Sequence, residues 1–335
     1  MHSVAPKVPS RDEPKSRSLA RTATVIVGKY GSLIVLGLLF SYFALTAEYF
    51  LTWGNIVQIF NQAALTAIIA GGLTMVLAAG QFDLSIGNNA SISGIIVSVL
   101  IINGFPIPIA IAAAILGGIG IGLCNAFLVT KVGVNALVAT LGVGSAIVGI
   151  NYFISNGSAQ PFASVAPDYS LISVGNWLSI PRNVYYMAAV AIVLWVVLNR
   201  TVLGRNIQAV GGNAEAARLA GVNVNRVTSM AFVIAGICAS ITGILLAAVV
   251  GSGQPVGGDG FTLAAFAAAF LGTAVIREGQ FHIIGTIVGV LTVAVGFNGL
   301  ALTGVPSYFQ FFFQGVLLIA AVSFSTLAQK RSKAS

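Results

Sequence analysis

Along this chain of 335 residues, long apolar runs alternate with short breaks that carry the polar and charged residues. The run "IAIAAAILGGIGIGLCNAFLV" (109–129) has no polar alternation. Its length is about the 20 residues a helix needs to cross a bilayer. Lipid admits only helices or closed barrels, because every backbone polar group must be satisfied internally. Barrel strands alternate apolar and polar positions over about ten residues, and these runs do not. The pattern predicts an all-α polytopic membrane protein of about ten transmembrane helices. The candidate spans are 27–47, 56–79, 84–102, 107–130, 134–154, 183–199, 227–250, 262–276, 283–302 and 308–327. The stretch 56–102 is too long for one span and is expected to break at "GQFDLSIGNN" (80–89).

Residues 1–26 are polar, basic and rich in Pro and Ser, and read as a disordered tail. Residues 27–328 read as one transmembrane domain, interrupted by a polar loop at 200–226, and 329–335 as a second basic tail. The basic stretch before the first apolar run has the look of a signal peptide. No clear small-residue cleavage site precedes Glu48, so an uncleaved first span is expected.

Composition agrees: 57% of residues are hydrophobic and 7% charged, with a mean hydropathy of +0.97. A net charge of +8 raises nucleic acid as a partner, but most of it lies in tails and short loops. Lys and Arg favour the cytoplasmic side of a membrane. With the N-terminus inside, fifteen of the sixteen basic residues fall inside and only Arg182 outside. An even number of spans then leaves both termini cytoplasmic. Cys124 and Cys238 lie within apolar runs, where packing is the ordinary role, and no His/Cys/carboxylate cluster has metal-ligand spacing. No catalytic, cofactor or metal site is expected.

The halves carry a sparse internal match. At an offset of 173, Gln81, Gly87, Asn125 and Gly142 fall on Gln254, Gly260, Asn298 and Gly315. This reads either as an inverted repeat of spans 2–5 in spans 7–10, a common transporter plan, or as chance in a Gly-rich chain.

Asp83 is the acid expected nearest the membrane interior, where a charge is by default a functional hypothesis. Two readings stand. Asp83, Ser85 and Gly87 belong to a broken helix lining a pathway, or Asp83 or Ser85 caps span 3 in a short cytoplasmic turn. Asn61, Gln62, Asn88, Asn89, Asn125, Asn298, Gln310 and Gln314 are amides in or near spans, more often bonded to neighbouring helices than to a substrate. Together they favour a route for a neutral, hydroxyl-rich solute, with Asp83, Ser85, Gly87, Asn125 and Asn298 as its candidate pathway or gate residues. Asp259 in "GGDGF" reads as a helix cap at an outer span end. His282 is expected at a membrane interface beside Arg277 and Glu278. Ion-coupled carriers need ionisable groups within spans, and few are present. The chain also lacks a phosphate loop: its one Gly-Lys pair, Gly28-Lys29, is followed by Tyr30. ATP, if used, binds elsewhere.

The loop 200–226 contains "GGNAEAARLAGVNVNR" (211–226). Asn213 suits an N-cap, Glu215 the positive helix start, Arg218 its C-terminal end, and Gly221 the C′ position. A helix of about two turns is marginal alone and needs something to pack against. That is either its own membrane domain or a cytoplasmic partner.

"GRNIQAVGGNAEAARLAGVNVNRV" (204–227) resembles the cytoplasmic signature of permease subunits of ATP-binding-cassette importers of the ribose/xylose/galactose/autoinducer-2 type. "QFDLSIG" (81–87), "GIGIGLCNAFLVTKVGVNALVATLG" (118–142) and "VGFNGLALTGVPSYFQFFFQGVLLIAAV" (295–322) echo further family segments in order. Three places depart from the family pattern: Gln81 and Phe82 before Asp-Leu-Ser, Asn135 and Ala136 where a Pro is common, and "FLGTAVIREGQFHIIGT" (270–286) in place of a Gly-Gly-x-Ser segment. The resemblance implies a non-enzymatic translocation subunit in the bacterial inner membrane. Its implied partners are two cytoplasmic ATPase subunits, a periplasmic substrate-binding protein and a second permease chain, identical or homologous. The implied cargo is a monosaccharide or similar small polyhydroxylated solute. It also implies a coupling helix whose ATPase contacts are Gly212, Asn213, Ala216, Ala217 and Gly221, with Arg277 and Glu278 as a second inside contact. The competing reading is a stand-alone ion-coupled secondary transporter.

Overall fold

The computed structural model describes residues 15–275 and 279–332, with side chains over 30–275 and 279–323. In chain order the helices are α1 (Lys15–Thr46), α2 (Trp53–Ala78), α3 (Ile86–Ile102), α4 (Ile107–Phe127), α5 (Ala136–Ser155), α6 (Pro167–Ser170) and α7 (Arg182–Arg200). They continue as α8 (Val202–Gly212), α9 (Ala214–Leu219), α10 (Val224–Val250), α11 (Asp259–Gly272), α12 (Ile283–Leu302) and α13 (Tyr308–Ser332). A π-helical turn, Leu128–Val132, extends α4. The strands are residue pairs: β1 (Gln160–Pro161) against β4 (Ser252–Gly253), and β2 (Asn176–Trp177) against β3 (Ile180–Pro181), both antiparallel.

Among the described residues, six helical segments are long and apolar enough to cross a membrane: α2, Ile107–Val132, α5, α7, α10 and α12. Shorter apolar segments are Tyr30–Thr46 of α1, all of α3 and α11, and Tyr308–Ser323 of α13. Every expected span falls on one of these. α1 begins at Lys15, inside the stretch expected to be a disordered tail. The expected break at 80–89 lies at 79–85, between α2 and α3.

Helix starts follow local chemistry. Thr52, Asn135, Thr201, Asn213 and Asn223 each accept a backbone N–H of the helix that follows. These bonds satisfy donors that a helix start leaves orphaned. His282 does the same for α12: Nδ1 accepts the Gly285 N–H at 2.9 Å, and Nε2 lies 2.6 Å from the Val275 carbonyl oxygen. It is buried, at the start of α12. Arg277 and Glu278 lie outside the described residues.

The repeat is visible in the architecture. The offset of 173 carries the first residue of α3, Ile86, onto the first of α11, Asp259. It also brings the starts of α2, α4 and α5 within three residues of those of α10, α12 and α13. α4 packs along α10 as α12 packs along α2, and α3 meets α5 as α11 meets α13. α2 and α10 run antiparallel, with Gly72 against Ala235 and Cys238 and the Leu65 carbonyl against Thr242. Corresponding helices therefore point in opposite directions.

α2 and α10 form the buried centre. Helices in lipid associate through close packing and small residues, because the acyl chains are as apolar as the side chains. At the α3–α10 crossing, a Cβ on Gly243 would land on the Ala90 carbonyl oxygen. Hydroxyl pairs bridge other crossings: Thr74 with Thr286 at 2.7 Å, and Ser93 with Ser240 at 3.0 Å. Gly243→Val should force α3 off α10 and lower stability by ~1–3 kcal/mol, the usual overpacking range. Thermal unfolding of the purified protein in detergent checks this; an unchanged transition would contradict the crossing.

Candidate functional site

Two regions contain the candidate residues. The first is where α3 and α11 begin. α3 runs parallel to α10, toward the end of the bundle that holds β1 and β4. α11 runs the other way, so that Gly272 meets Gly285 at the start of α12 and the Ser32 hydroxyl bonds the Leu271 carbonyl. At 1.5 Å per residue, α3 and α11 are about 25 and 21 Å long. Laid end to end they match one bilayer with its headgroups, about 40–45 Å. Their N-termini meet within the bundle: Gly87 packs on Gly258 and Thr262, where a Cβ would collide.

Such a meeting exposes unpaired N–H groups and brings two positive helix ends together. The chain answers with two carboxylates and a set of amides. Asp83 Oδ1 accepts the Ser85 N–H at 2.9 Å and the Ser85 hydroxyl at 2.6 Å. Asn125 Nδ2 donates to Ser85 Oγ at 2.8 Å, and the Leu84 N–H donates to Thr140 Oγ1 at 3.0 Å. Across the junction, Asn88 Nδ2 donates to Asp259 Oδ1 at 3.2 Å and the Gly258 N–H donates to Ser91 Oγ at 2.8 Å.

The helix is broken, and its backbone is satisfied by neighbouring protein. Ser85 stands at the cap position, but its side chain makes no capping bond; Asp83 receives its N–H instead. Asp83, Ser85 and Asn125 are all buried. Asn125 Oδ1 has no partner among the described residues. Asp259 is not a side-chain cap: Gly258 holds that position, and Asp259 faces Asn88.

Asn298 is not part of this junction. It forms a reciprocal amide pair with Asn55, with N···O distances of 3.0 and 2.9 Å, joining α12 to α2. Asp83, Ser85, Gly87 and Asn125 thus come together, and Asn298 stands apart as a second inter-helix tie. Asn55 was not singled out by sequence; it stands one residue before the expected span 56–79.

The second region is 201–223. Asn213 Oδ1 accepts the Glu215 and Ala216 N–H groups at 3.1 and 3.0 Å, and Glu215 pairs with Arg218 at 3.4 Å on the exposed face. The Gly221 N–H donates to the Arg218 carbonyl, and Gly221 has φ +84°, a conformation that a side chain would strain. Gly212, Asn213, Ala216 and Gly221 are exposed, as is Leu219 at 83%. Ala217 is the exception at 5%, packed into the main core. One element was missed: α8 precedes α9 directly, with Gly204, Ile207 and Val210 buried. Their spacing of three was legible, but the glycines at both ends read as loop.

Asp83→Ala should leave the buried Ser85 donors unpaired and lower stability by ~1–3 kcal/mol. Asp83→Asn, which keeps an acceptor, should lose less. Melting both variants in detergent tests this ordering, and equal tolerance would remove the carboxyl from its structural role.

Residues 55–322 match the family model described as branched-chain amino acid transport system / permease component. The chain is 34% identical over 293 residues to the ribose import permease protein RbsC of Escherichia coli K12, covering 87% of this chain and 91% of that protein. It is 33% identical over 304 residues to the D-allose transport system permease protein AlsC of the same organism, covering 90% and 93%. It is 34% identical over 307 residues to that organism's L-arabinose transport system permease protein AraH, covering 91% and 92%.

Proposed function

This chain belongs to the permease subunits of ATP-binding-cassette importers, and we propose that it carries a monosaccharide or similar small polyhydroxylated solute through the bacterial inner membrane. It is a multi-pass membrane protein that performs no bond chemistry; ATP is hydrolysed on a separate subunit, and a binding protein delivers the cargo. The observation that carries the cargo class is near-full-length likeness to permeases whose names state ribose, allose and arabinose. The paucity of charge among the buried polar groups supports it, since hydroxylated neutral solutes need amides and hydroxyls rather than ions.

In our reading, ten spans cross the membrane and both basic termini are cytoplasmic. The membrane domain occupies 27–328 and the coupling loop 200–226. The transporter contains a second permease chain and two ATPase subunits, one under each coupling helix. α9 is that helix. Ala217 seats it on the membrane domain, while Gly212, Asn213, Ala216, Leu219 and Gly221 face the ATPase. α8 and α10 connect it directly to α2 and α7, so its displacement tilts the central helices. The α3–α11 junction, with Asp83, Ser85, Gly87 and Asn125, acts as the gate that such tilting opens, and Asn298 ties the opposite end.

Leu219→Glu and Ala216→Glu place a charge on the docking face without touching the seat. Each should reduce co-purified ATPase and ATP-driven sugar uptake by tenfold or more while leaving thermal unfolding of the chain unchanged. Undiminished co-purification would exclude α9 as the docking element.

A further inference from the structure

At the end of the bundle opposite α8 and α9 lies a cleft of about 430 Å³, within the size range of small-molecule pockets. It opens where α2 and α7 begin and α10 ends. Its polar lining is carboxamide and hydroxyl: Gln58, Asn61, Ser173, Asn176 and Asn183, with the Trp53 indole at the rim. Among the described residues no charged side chain lines it.

The floor is built. Ser173 and Asn183 are 3% and 2% exposed, yet both are polar. The Ser173 hydroxyl donates to Asn183 Oδ1 at 2.5 Å, and Asn183 Nδ2 donates to Asn61 Oδ1 at 3.3 Å. This relay fixes the Asn61 carboxamide and leaves its nitrogen without a partner among the described residues. The Gln58 carboxamide and the Trp53 indole N–H are likewise without one. The wall is the hairpin of β2 and β3, whose two turn residues, Leu178 and Ser179, have φ of +47° and +65°. Tight turns of this kind favour Asn-Gly, so Leu-Ser there holds the wall in a strained conformation.

Carboxamides donate and accept at once, as hydroxyl groups do. An indole offers an apolar face and one N–H donor. A lining without charge gives no counterion to a phosphate, carboxylate or metal ion. We propose that this cleft is an outer binding site for one uncharged, polyhydroxylated molecule, in which Trp53 covers an apolar ring face and Gln58, Asn61 and Asn183 bond its hydroxyls. This rests on the proposed importer function and adds a site of first contact for the released cargo.

The test is saturation-transfer NMR on the full-length chain in nanodiscs, with D-ribose, D-allose and L-arabinose as probes. Wild type should transfer saturation to at least one of them. Trp53→Ala and Gln58→Ala, both at exposed or partly exposed positions, should cut that transfer fivefold or more without altering thermal unfolding. Absence of transfer with all three sugars, or transfer that survives both substitutions, overturns the site; in the second case Trp53 is an interfacial anchor only. ATP-driven uptake in vesicles reports separately on the importer function: uptake without transfer at the cleft would sink the site and leave the function standing.

Discussion

Two helices of this protein begin inside the bundle, and much of the surrounding structure serves to satisfy what they leave unpaired. A helix start exposes four N–H groups and a partial positive charge. When α3 and α11 start against each other, these demands double, and no bulk water is at hand to meet them. The solution is local: one carboxylate at each start, Asp83 and Asp259, with Ser85, Ser91, Asn88, Asn125 and Thr140 closing the remaining bonds. Gly87 and Gly258 supply the space. A protein that must open a route through lipid has reason to keep such a junction. Its contacts are hydrogen bonds between separate helices, which can be exchanged, whereas an intact helix would have to be unwound.

The inverted repeat explains why there are two such starts. α3 and α11 stand at corresponding positions of the two halves, and the central helices α2 and α10 run in opposite directions. The two halves solve the packing differently. Where α3 crosses α10, Gly243 removes the side chain altogether; on α11 the buried face is largely alanine. The backbone plan is shared, and the residues that realise it have diverged. Asn125 bonds Ser85, while its counterpart Asn298 bonds Asn55, so equivalent positions perform unlike tasks.

In the function proposed above, energy enters at α9. α9 is short and exposed on every residue but Ala217, and α8 binds it to the central helices. Gly211 at the end of α8 lies against Ala78 and Gly80, at the end of α2. α2 leads through 79–85 into the α3 junction. The path from α8 and α9 to the junction therefore runs through one packed contact and one turn of chain.

The sequence by itself determined the helical class, the approximate place of each apolar helix, the break at 80–89, and the capped helix at 213–221. These depend on runs, caps and charges that act within a few residues of one another. It also carried the family resemblance, because "GRNIQAVGGNAEAARLAGVNVNRV" and "QFDLSIG" are contiguous. Only the tertiary structure decided which polar residues meet. Ser85 with Asn125, Asn88 with Asp259, Asn55 with Asn298 and Asn61 with Asn183 are contacts between distant parts of the chain, and no local pattern specifies a partner that far away. The same holds for Ala217, whose burial depends on the surface beneath α9. It holds too for the outer cleft, which exists because three helix ends and a strained hairpin converge.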